Sequence, residues 1–330
     1  MIQLPWRVAL AGIGLVLFSL SASANPSVWR YEWPKTDFEK TAVEFSEIMS
    51  GGPPKDGIPA IDNPQFRPVS EIEDLADTEP VIGISINGET KAYPLQILMF
   101  HEIVNDTLGG VPITVTFCPL CNSTIVFDRR VGDRVLDFGT TGKLRFSDLV
   151  MYDRQTETWW QQFLGEAIVG ELMGERLKMI PARVESFANF KERAPEGEVL
   201  VPSRFARGSY GRNPYVGYDS SPSPFLFRGA LPDSIAPLAR VVTLDVDGRK
   251  EAWALDLFRS QRRIEVEGGL VITWEPGQNS ALDTGTISRG IDIGNVVVGR
   301  QTEDGGEDVV YGVDFAFAFN AFFPDSPIHQ

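Results

Sequence analysis

The chain has 330 residues with 45 acidic and 30 basic side chains, which gives a formal net charge of −15 at pH 7. This acidity argues against nucleic acid and anionic membrane surfaces as partners, because both repel a negatively charged protein. The length suffices for one large domain or two smaller ones, and with two cysteines the core must come from packing rather than from disulfides.

The first residues have the pattern of a secretory signal peptide. Arg7 supplies a positive charge, Val8–Leu20 forms an apolar run, and Ala22-Ser23-Ala24 is a cleavage motif of small residues. We therefore predict that residues 1–24 are a signal peptide and that the mature chain is exported to the periplasm or the extracellular space. Because no later segment is a long uncharged apolar run, no stable membrane span is predicted after cleavage.

Residues 25–56 form a predicted N-terminal segment and linker. Phe38–Met49 has a helix-like pattern that ends before Gly51-Gly52-Pro53-Pro54, a sequence that stops helices. Farther on, Ser70–Leu75 predicts a short helix, because Ser70 and Glu73 have the spacing of a capping box.

Strand patterns dominate from Pro80 onward. Val81–Ile86 is rich in β-branched residues and is followed by Asn87-Gly88, a strong hairpin signal. Val111–Phe117 predicts a strand that runs directly into the first cysteine. The helices between such strands are short, and Phe187–Arg193 is one example.

Three blocks of the first half resemble blocks of the second half in the same order. Val81–Leu98 aligns with Val241–Phe258, and the hairpin pair Asn87-Gly88 falls on Asp247-Gly248. The other pairs are Gly109–Thr114 with Gly268–Thr273, and FANFKERAP, which ends at Pro195, with FAFNAFFP, which ends at Pro324. We therefore predict an α+β fold, mainly antiparallel β with short helices, built by internal duplication of one unit. The predicted repeats are residues 57–202 and 203–330, packed together as one domain.

Cys118-Pro119-Leu120-Cys121 and His101 are the strongest candidate functional residues. The aligned part of the second repeat has Trp274–Gly277 where the cysteines stand, and Ser260 or Gln261 where His101 stands. If the second repeat adopts the same fold without these residues, the fold does not need them. They are therefore expected to form a site on the first repeat.

The leading hypothesis for this site is a transition-metal centre. A Cys-x-x-Cys turn lets two thiolates face one point, and His101 is the only other strong ligand nearby in the sequence. Glu102, Asp106 and Met151 are candidates for a fourth ligand, and an open fourth position is the alternative. Soft sulfur and imidazole ligands suit copper or zinc. Spatially, this hypothesis requires His101 and a fourth donor within a few Å of both sulfur atoms.

Two other functions fit the same residues. Cys118 and Cys121 could cycle between dithiol and disulfide, as in a periplasmic thiol–disulfide redox protein, and this requires an exposed sulfur. Alternatively, the protein is a non-catalytic binding module that uses an aromatic or acidic surface. The residues do not identify a reaction, a substrate or a partner.

Four long strings resemble DUF3179, a prokaryotic family of unknown function. They are HEIVND, CPLCNSTIVFDRR, FGTTGKLRFSDLVMYDRQTETWWQQ and FAFNAFFPD. The resemblance spans Gly57 to Asp325, and members of the family often have glycine where this chain has Asn122. It implies the domain assignment and no activity.

Overall fold

The computed structural model describes residues 26–202, 210–302 and 305–330. The predicted signal peptide, residues 1–24, lies outside the described residues. In the described part of the chain, no helix is long and apolar enough to cross a membrane.

The described chain is mainly β, with short helices between the strands. Each of the five α-helices has seven residues: α1 (Pro26–Glu32), α2 (Leu95–His101), α3 (Phe187–Arg193), α4 (Leu255–Gln261) and α5 (Ala316–Phe322). The strands are β1 (Ile48–Ser50), β2 (Gln65–Pro68), β3 (Pro80–Ile86), β4 (Glu89–Pro94), β5 (Ile103–Leu108), β6 (Val111–Cys118), β7 (Ser123–Asp128), β8 (Arg130–Val131), β9 (Arg134–Val135), β10 (Phe138–Arg145), β11 (Asp148–Asp153), β12 (Trp159–Gln161), β13 (Glu166–Val169), β14 (Met179–Ile180), β15 (Arg183–Ser186), β16 (Glu198–Val201), β17 (Arg240–Val246), β18 (Arg249–Ala254), β19 (Arg263–Val266), β20 (Leu270–Glu275), β21 (Asn295–Thr302), β22 (Gly305–Asp308), β23 (Tyr311–Phe315) and β24 (Ile328–His329).

The strands form five sheets that are arranged as the blades of a five-bladed β-propeller. Their strand orders are β1-β10-β11-β12-β13, β14-β7-β6-β5, β15-β3-β4-β16-β2, β23-β17-β18-β24 and β19-β20-β21-β22. The remaining pair, β8 and β9, forms a small separate hairpin. Pairing is antiparallel except where β16 joins β4 and β24 joins β18.

The predicted α+β fold made of two copies of one unit is therefore wrong. A hairpin followed by a helix does occur in both aligned blocks, as β3-β4-α2 and as β17-β18-α4. However, the sheet of β1 and β10–β13 has no counterpart among the described residues of the second half. Two copies of one unit thus leave a whole blade unexplained. The division into repeats at residues 57–202 and 203–330 stays a prediction.

Local predictions succeeded where the signal lay within a few residues. The Asn87-Gly88 hairpin is present, with positive φ angles of 51° and 85° at its two turn residues. The helix at Phe187–Arg193 has the predicted bounds. The prediction of a helix over Phe38–Met49 is wrong, because Ile48–Ser50 forms a strand that pairs with β10. Ser70–Leu75 is also not an α-helix, since a single 3-10 turn covers Val69–Glu71.

Candidate metal centre

The two cysteines lie in the tight connection between β6 and β7. Cys118 ends β6 and pairs with Ser123, the first residue of β7. Asn122 closes the turn with a φ of 51°, a conformation that glycine adopts most easily. The Phe315 N–H donates to the Cys121 carbonyl at 2.9 Å, and Asn122 Nδ2 donates to the Val313 carbonyl at 2.7 Å. These bonds fix the cysteine turn against β23.

A strained hairpin turn brings a carboxylate to the cysteines. Phe146 and Ser147 connect β10 to β11 with φ angles of 54° and 66°. Two-residue turns of this kind favour Asn-Gly, and the left-handed conformation costs other residues about 1–2 kcal/mol each. Asp148 follows directly, and the Cys118 thiol lies 3.7 Å from the Ser147 carbonyl. Strain kept beside a cluster of reactive groups is typical of functional sites.

Cys118, Cys121 and Asp148 form one compact cluster, which we call the cysteine–carboxylate cluster. One ligand atom from each residue lies within 4.8 Å of the other two, and all three side chains are buried. Asp148 Oδ2 accepts hydrogen bonds from Gln161 Nε2 at 2.6 Å and from the Phe163 N–H at 3.0 Å. Oδ1 receives no N–H or O–H hydrogen bond from the described residues. The carboxylate is thus oriented through Oδ2, and the Cys118 and Cys121 thiols are its further hydrogen-bonding partners.

The surroundings of the cluster are acidic. Burial raises the pKa of Asp148 to about 7. Burial and the charge of Asp148 together raise the pKa of Glu102 to about 8. Burial also raises the pKa of the Cys118 thiol, and burial with the adjacent Cys118 thiol raises the pKa of Cys121 strongly. Each of these acids disfavours the ionisation of its neighbours. A bound cation would stabilise their ionised forms.

His101 is not part of the cluster. Its Nδ1 lies 2.7 Å from the Pro59 carbonyl, and its Nε2 lies 2.6 Å from the Tyr210 hydroxyl. Both ring nitrogens therefore have hydrogen-bonding partners, and burial lowers the pKa of the imidazole. The expected arrangement, with His101 beside both sulfur atoms, is not formed among the described residues. Closeness in sequence was misleading here, because α2 ends at His101 and orients the ring toward Pro59 and Tyr210.

Of the three candidates for a fourth ligand, Asp106 pairs with Lys91 at 2.8 Å, and the other two have different positions. Glu102 follows α2 in the left-handed conformation, with a φ of 57°, and its carbonyl accepts the Phe117 N–H at 2.8 Å. This places it beside the residue that precedes Cys118, and its charge raises the pKa of that thiol. Met151 is fully buried in β11 opposite Thr140 and Trp160, and it packs in the main hydrophobic core.

The structure gives little support to thiol–disulfide exchange. Cys118 is 2% exposed and Cys121 is 0% exposed, whereas a redox pair needs at least one accessible sulfur. The thiols are not bonded to each other, and their raised pKa values disfavour the nucleophilic thiolate. Tyr218 covers this side of the site, since its hydroxyl donates to the Leu120 carbonyl at 3.1 Å.

Sequence reasoning missed Asp148 as a ligand candidate. The available signal in the sequence was the pair of acids in the run Ser147–Arg154, which also contains Met151. Asp148 is remote from the cysteines in the sequence, and only the β10–β11 turn brings it to them.

The fold and the site together define a mainly β, propeller-type protein with one buried cysteine–carboxylate cluster. The chain belongs to the DUF3179 family, because the profile described as "Protein of unknown function (DUF3179)" matches residues 55–326. A search of the curated proteins found no match, and a search of the solved structures found none either.

Proposed function

We propose that this protein binds one zinc ion through Cys118, Cys121 and Asp148. The observation that carries the proposal is the Asp148 carboxylate, which is buried beside two thiols with one oxygen fixed by Gln161 and Phe163. Such outer hydrogen bonds orient metal ligands, and the remaining oxygen is in place to coordinate. A set of two sulfurs and one carboxylate oxygen fits zinc.

The composition of the cluster favours zinc over copper. Monovalent copper prefers soft ligands such as thiolate, thioether and imidazole, whereas a carboxylate is hard. His101 and Met151 would have supplied the soft third ligand of a copper site, but His101 lies outside the cluster. Asp148 takes the third place, and zinc accepts sulfur and oxygen ligands together.

Three protein ligands leave the fourth position of a tetrahedral zinc site open. We assign Glu102 to the side of that position, because its carboxyl group interacts electrostatically with Asp148 and Cys118. In the zinc-free protein, burial and the charge of Asp148 raise the pKa of Glu102 to about 8; a bound cation would lower it, and the carboxylate could then accept a proton. Bound zinc would supply Lewis acidity there, and Glu102 would carry the proton of any molecule that occupies the fourth position.

We further propose that the site works in an exported protein. The predicted signal peptide places the mature chain in an oxidising compartment, where two neighbouring thiols tend to form a disulfide. Burial and metal coordination both keep thiolates from oxidation. The expected location, periplasmic or extracellular, therefore agrees with a metal-bound rather than a redox-active pair.

Zinc titration of two matched variants tests the ligand set. Zinc-free protein is dialysed anaerobically against buffered zinc, and bound metal is measured for the wild type, Asp148→Asn and His101→Gln. We expect about one zinc per chain in the wild type and in His101→Gln, and an affinity at least tenfold lower in Asp148→Asn, because a ligand is lost. Loss of zinc in His101→Gln with retention in Asp148→Asn would contradict the proposal.

A further inference from the structure

A second candidate site is a cavity between the sheet that carries the cysteines and the sheet of β17 and β23. Its volume is about 610 Å³, within the range of small-molecule sites. Strands β7 and β14 form one wall, β17 and β23 form the opposite wall, and α5 closes one end. The wall is mainly apolar, and its apolar side chains include Ile125, Val126, Phe163, Leu177, Met179 and Phe319.

The charges that line this cavity do not balance. Glu166 pairs with Arg176, and Asp245 pairs with Lys250 at 3.0 Å, so these four charges cancel at its rim. The fifth charged residue is Asp314, which is 3% exposed. Its environment consists of the Thr243 and Ser123 hydroxyls and the charge of Asp148, none of which is positive. Burial raises the pKa of Asp314 to about 7, so above that pH a carboxylate without a cation of its own faces the apolar cavity.

A buried carboxylate without a cation is costly, and a ligand that supplies the cation removes this cost. Asp314 is also fixed in place, because Oδ2 accepts a hydrogen bond from Thr243 Oγ1 at 2.7 Å. Gly312 makes room for this pair, since a β-carbon there would lie 2.3 Å from Asp314 Oδ2 and 2.5 Å from Thr243 Oγ1. An apolar wall with one oriented polar group is the usual pattern of a small-molecule site.

We propose that this cavity binds a small molecule with an apolar body and a protonated amine, and that the amine pairs with Asp314. The apolar body packs between β7 and β17, and the ammonium group supplies the missing positive charge. Asp314 is not a member of the cysteine–carboxylate cluster, but the charge of Asp148 acts on it, so the inference is tested on the zinc-free protein.

Three probes with the same ten-carbon chain test this inference: decylamine, decanol and decanoate. Binding to zinc-free protein is measured by calorimetry at pH 8, where the amine is protonated and the carboxylate is ionised. We expect decylammonium to bind at least tenfold more tightly than decanol, and decanoate to bind most weakly.

Two variants locate the binding. Asp314→Asn is expected to reduce decylammonium affinity to that of decanol and to leave decanol unchanged. Ala182→Phe, which narrows the cavity, is expected to weaken the binding of decylammonium and of decanol several-fold. Thermal unfolding of each variant checks that it is folded. Equal binding of all three probes, no binding of any probe, or decylammonium affinity unchanged in Asp314→Asn or in Ala182→Phe would overturn the inference.

Discussion

Replacing both Cys118 and Cys121 by serine is expected to abolish zinc binding. Zinc that binds the folded state a thousandfold above its dissociation constant stabilises it by about 4 kcal/mol. For a chain of this size, such a gain raises the unfolding temperature by roughly 5–10 °C. The wild type should show this rise when zinc is added, and the double variant should show none. Differential scanning calorimetry with and without zinc measures the difference.

The comparison is made within each protein, because serine also changes the packing of a buried site. His101→Gln serves as the matched control, since it replaces the imidazole of a buried residue outside the cluster. If the double variant gains as much thermal stability from zinc as the wild type does, the metal binds elsewhere.

The stability of the zinc-free protein is expected to fall as the pH rises from 5.5 to 8.5. Burial raises the pKa of Asp148 and of Asp314 to about 7, and burial with the charge of Asp148 raises that of Glu102 to about 8. In the unfolded chain these carboxyl groups ionise near pH 4. Between the pKa values of the unfolded and the folded state, the folded state binds more protons than the unfolded state. The free energy of unfolding therefore decreases as the pH rises. The expected loss is on the order of a few kcal/mol.

Zinc should reverse this dependence. The metal binds ionised ligands, so its affinity for the site rises with pH. Its stabilising effect is therefore greatest at high pH, where the zinc-free protein is least stable. Below pH 6.5, His101 has a small opposite effect. Burial lowers its pKa, so the unfolded state binds more protons there and stability rises with pH. Thermal unfolding at several pH values, with and without zinc, gives both slopes. Asp148→Asn should make the zinc-free slope shallower. A zinc-free protein that becomes more stable toward pH 8.5 would contradict the assignment of these buried acids.

The parts of the fold that could be predicted from the sequence depend on short-range chemistry. Asn87-Gly88 and Asp247-Gly248 encode turns with positive φ angles, and the turns form whatever lies around them. Phe38–Met49 shows the opposite case. Its spacing fits a helix, but Ile48–Ser50 gains ladder hydrogen bonds by pairing with Lys143–Arg145 of β10. Tertiary pairing of this kind leaves no local signal.

The candidate site was predictable in part for the same reason. The Cys-x-x-Cys spacing identified Cys118 and Cys121 directly, since both lie in one turn. The third member, Asp148, comes from another sheet, and the strained Phe146–Ser147 turn places it there. His101 was expected in its place because it is close in the chain, but the direction of its ring depends on Pro59 and Tyr210. No spacing rule contains that information.

Zinc K-edge X-ray absorption of the metal-loaded protein tests the central claim most directly. The account predicts two sulfur neighbours at about 2.3 Å and oxygen neighbours at about 2.0–2.2 Å. It also predicts no imidazole scattering, because His101 is not a ligand. A spectrum with imidazole scattering, or one without sulfur neighbours, would contradict a site made of Cys118, Cys121 and Asp148.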